Sequence, residues 1–188
     1  MSYDLQLFEP PPGTDPLVAA RAALDVDIES VNPGPVDSKR EAWKEVLASA
    51  LLAADPVLER FRFDYPEIAK LRGLSEEEAR REFRHIELNA PENGNGLQIQ
   101  LFDKTVSVAI PYWHRGEKAE TTWSEIWKCL QVCRDTGGLA VYDPQLDRVL
   151  DLENDRDAVL QMYAQGMQFT DSVARGAETP PKPWWKFW

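Results

Sequence analysis

Few side chains in this sequence could do covalent chemistry. The chain has two cysteines, Cys129 and Cys133, and two histidines, His85 and His114. A thiol becomes a nucleophile only with a base in hydrogen-bond reach or in an electropositive setting. Both cysteines fall on the helical stripe marked by Trp123, Ile126, Trp127 and Leu130. Their spacing puts them on one helix face and does not match Cys-x-x-Cys, so inert buried thiols in a reducing compartment are expected. No Gly-x-Ser-x-Gly, Walker loop, Gly-x-Gly-x-x-Gly or His-Glu-x-x-His occurs. Asn93-Gly94-Asn95-Gly96 reads as a hairpin turn and not a phosphate loop, because no helix start follows it. Asp151, Glu153, Asp155 and Asp157 are spaced like the start of a calcium loop. Arg156 stands where the sharp-turn glycine belongs and Met162 where the bidentate acid belongs. That stretch therefore reads as a strand-to-helix junction with capping carboxylates. The sequence thus offers no catalytic set, no cofactor motif and no metal site. A cleft near Trp113, His114 and the Trp123 helix is the one place left for an enzyme or a small-ligand binder.

Binding chemistry is better represented. The chain has 188 residues, of which 43% are apolar and 28% charged, with a formal net charge of -11. That composition is globular, and the length suffices for a core without staples. The charge disfavours nucleic acid, which needs a basic footprint, and suits a partner with a basic surface. Candidate contacts are Asp25, Asp27 and Glu29 in a long loop, Glu92 in a turn, and Glu117 and Glu120 in loops beside the expected sheet. The end of the chain is aromatic: after Pro180-Pro181-Lys182-Pro183 come Trp184, Trp185, Phe187 and Trp188. The tryptophans either fold back over an open face of the sheet or anchor a partner, as an adaptor or chaperone would. A membrane role is not expected, since only Lys182 and Lys186 could meet anionic lipid. No apolar run approaches the ~20 residues of a membrane helix, and Met1-Ser2-Tyr3-Asp4 lacks the start of a signal peptide. The expected compartment is the cytoplasm.

The elements that would position these groups follow from periodicity. Residues 3–8 alternate as a strand closed by Pro10-Pro11-Pro12-Gly13. Asp15 or Thr14 caps a helix over 16–24. Ser38 with Glu41 has capping-box spacing for a helix with Trp43, Val46, Leu47, Ala50, Leu51 and Ala54 on one face. Residues 57–61 continue as a further turn. A helical turn over 66–71 stops at Gly73, and Ser75 with Glu78 opens another helix. Residues 86–88, 97–101 and 106–112 form an antiparallel meander, or 97–113 one long bent strand. Thr121 or Thr122 caps the Trp-rich helix, which ends at Gly137-Gly138. Residues 139–142 and 148–150 are strands, and Asp155 opens a last helix. The expected fold is α+β: an antiparallel sheet of about four to six strands with helices mainly on one face. The element order is that of a β-α-β-β-α-β unit with helices inserted after the first strand. One domain spans 1–175 and a Pro/Trp-rich tail 176–188.

The Met-Ser-Tyr-Asp-Leu start, the Gly-Gly-Leu-Ala-Val-Tyr-Asp-Pro-Gln run over 137–145 and the Lys-Pro-Trp-Trp-Lys-Phe-Trp ending resemble small cytoplasmic proteins of Gram-negative bacteria. Some of those act as immunity proteins for secreted toxins. The resemblance implies a cognate protein toxin as partner and carries no site residues. With the acidic charge, it makes an immunity protein the leading expectation.

Overall fold

The computed structural model describes residues 2–24, 35–91 and 94–174. Their fold is α+β. The strands are β1 (Ser2–Phe8), β2 (Glu59–Arg60), β3 (Ile86–Asn89), β4 (Gln98–Leu101), β5 (Thr105–Pro111), β6 (Ala140–Asp143) and β7 (Arg148–Val149). The helices are α1 (Pro16–Leu24), α2 (Ser38–Ala54), α3 (Tyr65–Arg72), α4 (Glu76–Glu82), α5 (Gly116–Gly137) and α6 (Arg156–Ala174). The strands form one seven-stranded sheet in the order β2-β3-β4-β5-β1-β6-β7. Every neighbouring pair is antiparallel.

The middle of the sheet, β4-β5-β1-β6, follows the expected β-α-β-β-α-β chain order. β1 and β4 both run antiparallel to β5, so they are parallel to each other with β5 between them. The meander reading of 97–112 holds, with the turn at Asp103 and Lys104. The returning strand expected at 148–150 is present as β7, and the sheet exceeds the expected four to six strands because β2, of two residues, is too short to leave a periodic signal.

One face of the sheet is the core. Leu5, Leu7, Leu88, Ile99, Leu101, Val106 and Ile110 are completely buried there, under Leu47 and Leu51 of α2 and Trp123, Ile126 and Leu130 of α5. Tyr3 joins the layers: its ring makes edge contacts with Tyr112, Trp123 and Tyr163 at centroid distances of 6.3, 5.8 and 6.0 Å. Its hydroxyl donates to the buried Asp143 carboxylate. Burial drives the Asp143 carboxyl up, against the Tyr3 hydroxyl and the Leu146 and Gln145 amides that favour its charged form. The helices lie mainly on this face. α2, α5 and α6 contribute to this core, whereas Ala19 and Ala20 of α1 pack with Phe8 and Tyr142 on the other side.

Several local expectations need correction. The helix of 38–54 is capped by Asp37, whose carboxylate accepts from Lys39 N at 2.8 Å, and not by Ser38 in a capping box. Its buried face is Lys44, Leu47, Ala48 and Leu51, while Val46 is 59% exposed. The rotation follows from Lys44. Its ammonium meets Glu41 at 2.8 Å, Asp103 at 3.0 Å and the Arg84 carbonyl at 3.0 Å, so a charged residue is matched inside the core. The expected turn over 57–61 is instead β2. The Trp-rich helix starts at Gly116 and not at Thr121 or Thr122, because Glu117 to Glu120 are good helix formers and carry it back to Arg115. Thr122 is buried inside it. The Ser75–Glu78 capping box and the left-handed stop at Gly138 are as expected.

Candidate interaction face

The side of the sheet away from α2 and α5 is the candidate site. Strand alternation sends every second residue there, and the ladder register lines them up in rows. One row runs Glu87, Gln100, Ser107, Gln6 and Tyr142 across five strands. The Phe61 amide donates to the Glu87 carbonyl at 2.8 Å, which places Phe61 at the head of this row. The next row runs Glu59, Asn89, Gln98, Ala109 and Asp4. Among the described residues these two rows hold three carboxylates, four amides and no lysine or arginine.

Most of these side chains are more open than their neighbours, while Glu87, at 9% exposure, and Tyr142 are buried. Gln6, Gln98, Gln100 and Ser107 are half-buried, whereas the alternating Leu7, Ile99, Leu101 and Val106 are fully buried. The face is bounded at both ends. At the β6 side, α1 covers Phe8 and Tyr142. At the β2–β3 side stands an aromatic wall: Phe63 lies 4.8 Å from His85, and Phe102 lies 5.0 Å from it on the other side. Phe61 makes an edge contact with Phe63 at 5.1 Å and stays 47% exposed.

Glu87 organises the middle. Its Oε1 accepts from Asn89 Nδ2 at 2.7 Å and from Gln98 Nε2 at 3.0 Å, and its Oε2 from Gln100 Nε2 at 3.2 Å. His85 Nε2 stands 3.9 Å from Oε2, an ion-pair distance and too long for a hydrogen bond. The His85 ring, with the Asn89, Gln100 and Gln98 amides, outweighs burial and holds the Glu87 carboxyl down to about 2. Glu87 is therefore a fixed negative charge at neutral pH. The amides are oriented by it: each points an N–H at the carboxylate, which leaves its carbonyl oxygen as an acceptor. Asn89 Oδ1 has no hydrogen-bond partner. The result is a negatively charged surface rich in hydrogen-bond acceptors.

The acidic contacts expected from sequence are distributed differently. Glu117 and Glu120 are exposed, but they sit on the first two turns of α5 and not in loops. α5 covers the apolar face, so the structure does not bring them together with Glu87. Asp25, Asp27, Glu29 and Glu92 lie outside the described residues, as do Trp184, Trp185 and Trp188. The face itself had a sequence signal in the alternation of Gln98 and Gln100 with apolar residues. Its alignment with Gln6 and Glu87 depends on pairings between strands distant in the chain, which no local pattern contains.

The proposed cleft at Trp113 and His114 is not open. His114 is buried, and its Nε2 meets the Asn95 carbonyl at 2.8 Å. Burial lowers its pKa, so the neutral ring is favoured. The Trp113 ring lies so close over Gly96 that a Cβ there would come within 2.2 Å of it. Trp123 is fully buried. Both cysteines are free and buried, and burial pushes the Cys129 thiol up to about 12 and that of Cys133 higher still. The acidic run at 151–157 is satisfied internally: Asp151 accepts from Glu153 N at 2.9 Å and Asn154 Nδ2 at 2.6 Å, and Asp155 accepts from Asp151 N at 2.8 Å. Among the described residues, no group of three or more His, Cys, Asp or Glu could hold a metal ion. Among them, too, no helix is long and apolar enough to cross a membrane.

Comparison of the chain with protein-family models, curated proteins and solved structures finds no match.

Proposed function

We propose that this protein is a cytoplasmic immunity protein that binds and neutralises a cognate bacterial toxin, with the open sheet face as its contact surface. The observation that carries the reading is the pair of cross-strand rows holding Asp4, Glu59, Glu87, Gln6, Asn89, Gln98 and Gln100 with no basic residue among them. A toxin that acts on nucleic acid or nucleotides presents a basic cleft, and such a cleft is complementary to this face. The net charge of -11 steers the encounter and raises its rate at low salt. The amides add directional acceptors whose desolvation costs less than that of further carboxylates. Exposed Phe61 supplies apolar area at the edge of the polar rows, as interface anchors do.

The test is co-expression with the product of the adjacent gene. The reading expects rescue of growth and a one-to-one complex on copurification. It expects the double substitution Gln98→Lys and Gln100→Lys to abolish both while leaving the melting temperature within a few degrees of wild type, since both side chains are half-exposed. No rescue and no complex with the wild-type protein would sink it.

A further inference from the structure

Resting on the reading of this face as the contact surface for a basic protein, we infer that the partner's anchor is an arginine, seated on the Phe61 ring and bonded to the amide carbonyls around Glu87. Two observations converge. The first is the direction of the amides. Asn89, Gln98 and Gln100 each give one N–H to a single carboxylate, and their carbonyl oxygens remain acceptors. A guanidinium has five N–H donors in a planar fork and no acceptor, which matches a surface rich in carboxylate and amide oxygens.

The second is the aromatic group at the head of the row. Phe61 is 47% exposed, and its backbone is bonded to that of Glu87 at 2.8 Å. Phe61 and Glu87 are therefore cross-strand neighbours on the same side. A cation placed between them meets a ring face and a fixed negative charge together. Arginine stacks on aromatic rings and sheds water more readily than lysine. Arg60, the strand neighbour of Phe61, points to the opposite side and makes two 2.7 Å bonds to Glu45 of α2.

The experiment is a nuclear magnetic resonance titration of the isotope-labelled full chain with two probes of equal charge, acetyl-Gly-Arg-Gly-amide and acetyl-Gly-Lys-Gly-amide. The inference expects the arginine peptide to shift the side-chain amide signals of Asn89, Gln98 and Gln100 at concentrations about fivefold lower than the lysine peptide. It also expects the exposed-site variant Phe61→Ala to erase that preference without moving the melting temperature by more than a few degrees. Equal response to both peptides overturns the arginine anchor and leaves the basic-partner reading standing. No response to either, while the adjacent gene's product still binds, overturns it as well. An arginine-selective response with no binding of that product supports the anchor and removes the toxin reading.

Discussion

At the scale of residues, two charges that sequence inspection passes over do the most. Glu87 lies within a strand, and its role depends on Gln98 and Gln100 of the neighbouring strand. Replacing it with glutamine removes a charged acceptor from three amide donors and is expected to cost about 1–3 kcal/mol. The pH dependence follows from its depressed pKa. Between the ordinary glutamate value near 4.3 and the folded value of about 2, the unfolded chain takes up a proton that the folded one does not. The stability from ionised Glu87 is thus complete above about pH 5 and falls away as pH drops toward 2. Urea unfolding of wild type and Glu87→Gln at several pH values should show their difference constant near neutrality and shrinking in acid. Lys44, fully buried, was legible only as a break in an apolar face; Glu41 three residues before it was the one local hint of a matched charge. Lys44→Met leaves Asp103 paired with Arg84 alone and is expected to cost about 1.5–3 kcal/mol in the same assay. The cysteines were legible, because an apolar stripe buries whatever interrupts it. Neither thiol should react with a thiol-specific dye until the protein is unfolded, and fast labelling of the native chain would contradict their burial.

At the scale of elements, the strands and caps with local signatures were readable: the Ser75–Glu78 box, the meander of β4 and β5, and the glycine stop of α5. Of the elements misread, one was set by a distant partner and one by local propensity. The strand β2 exists because Glu59 and Arg60 pair with Asn89 and Leu88, not because of its own pattern. The start of α5 slid to Gly116 because helix-forming residues precede the two threonines. The attachment of α6 depends on Tyr163, whose hydroxyl donates to the Pro111 carbonyl at 2.5 Å and accepts from His114 N at 3.4 Å. Tyr163→Phe leaves both backbone groups without that partner and is expected to lower stability by about 1–3 kcal/mol. Amide hydrogen exchange should then speed up first in α6 and at the end of β5. A uniform change across the sheet would show that the contact does not act locally.

At the scale of the whole molecule, the sheet separates two chemistries. One side carries α2, α5, α6 and the apolar core. The other carries carboxylates and amides in register, left open between α1 and the aromatic wall around His85. The α+β class and the element order were legible because apolar alternation and helical stripes are local. The proposed acidic contact surface was legible only as net charge. Its location was not, because a face is made by strand order, and Ser2–Phe8 joins the middle of the sheet through pairings about a hundred residues away. The most direct measurement is the affinity of the adjacent gene's product for wild type and for the Gln98→Lys, Gln100→Lys protein, taken at two salt concentrations. The account predicts wild-type binding that weakens as salt rises, and a loss of at least about a hundredfold in the double variant with its fold intact. Unchanged affinity in that variant would contradict the assignment of the sheet face as the binding surface.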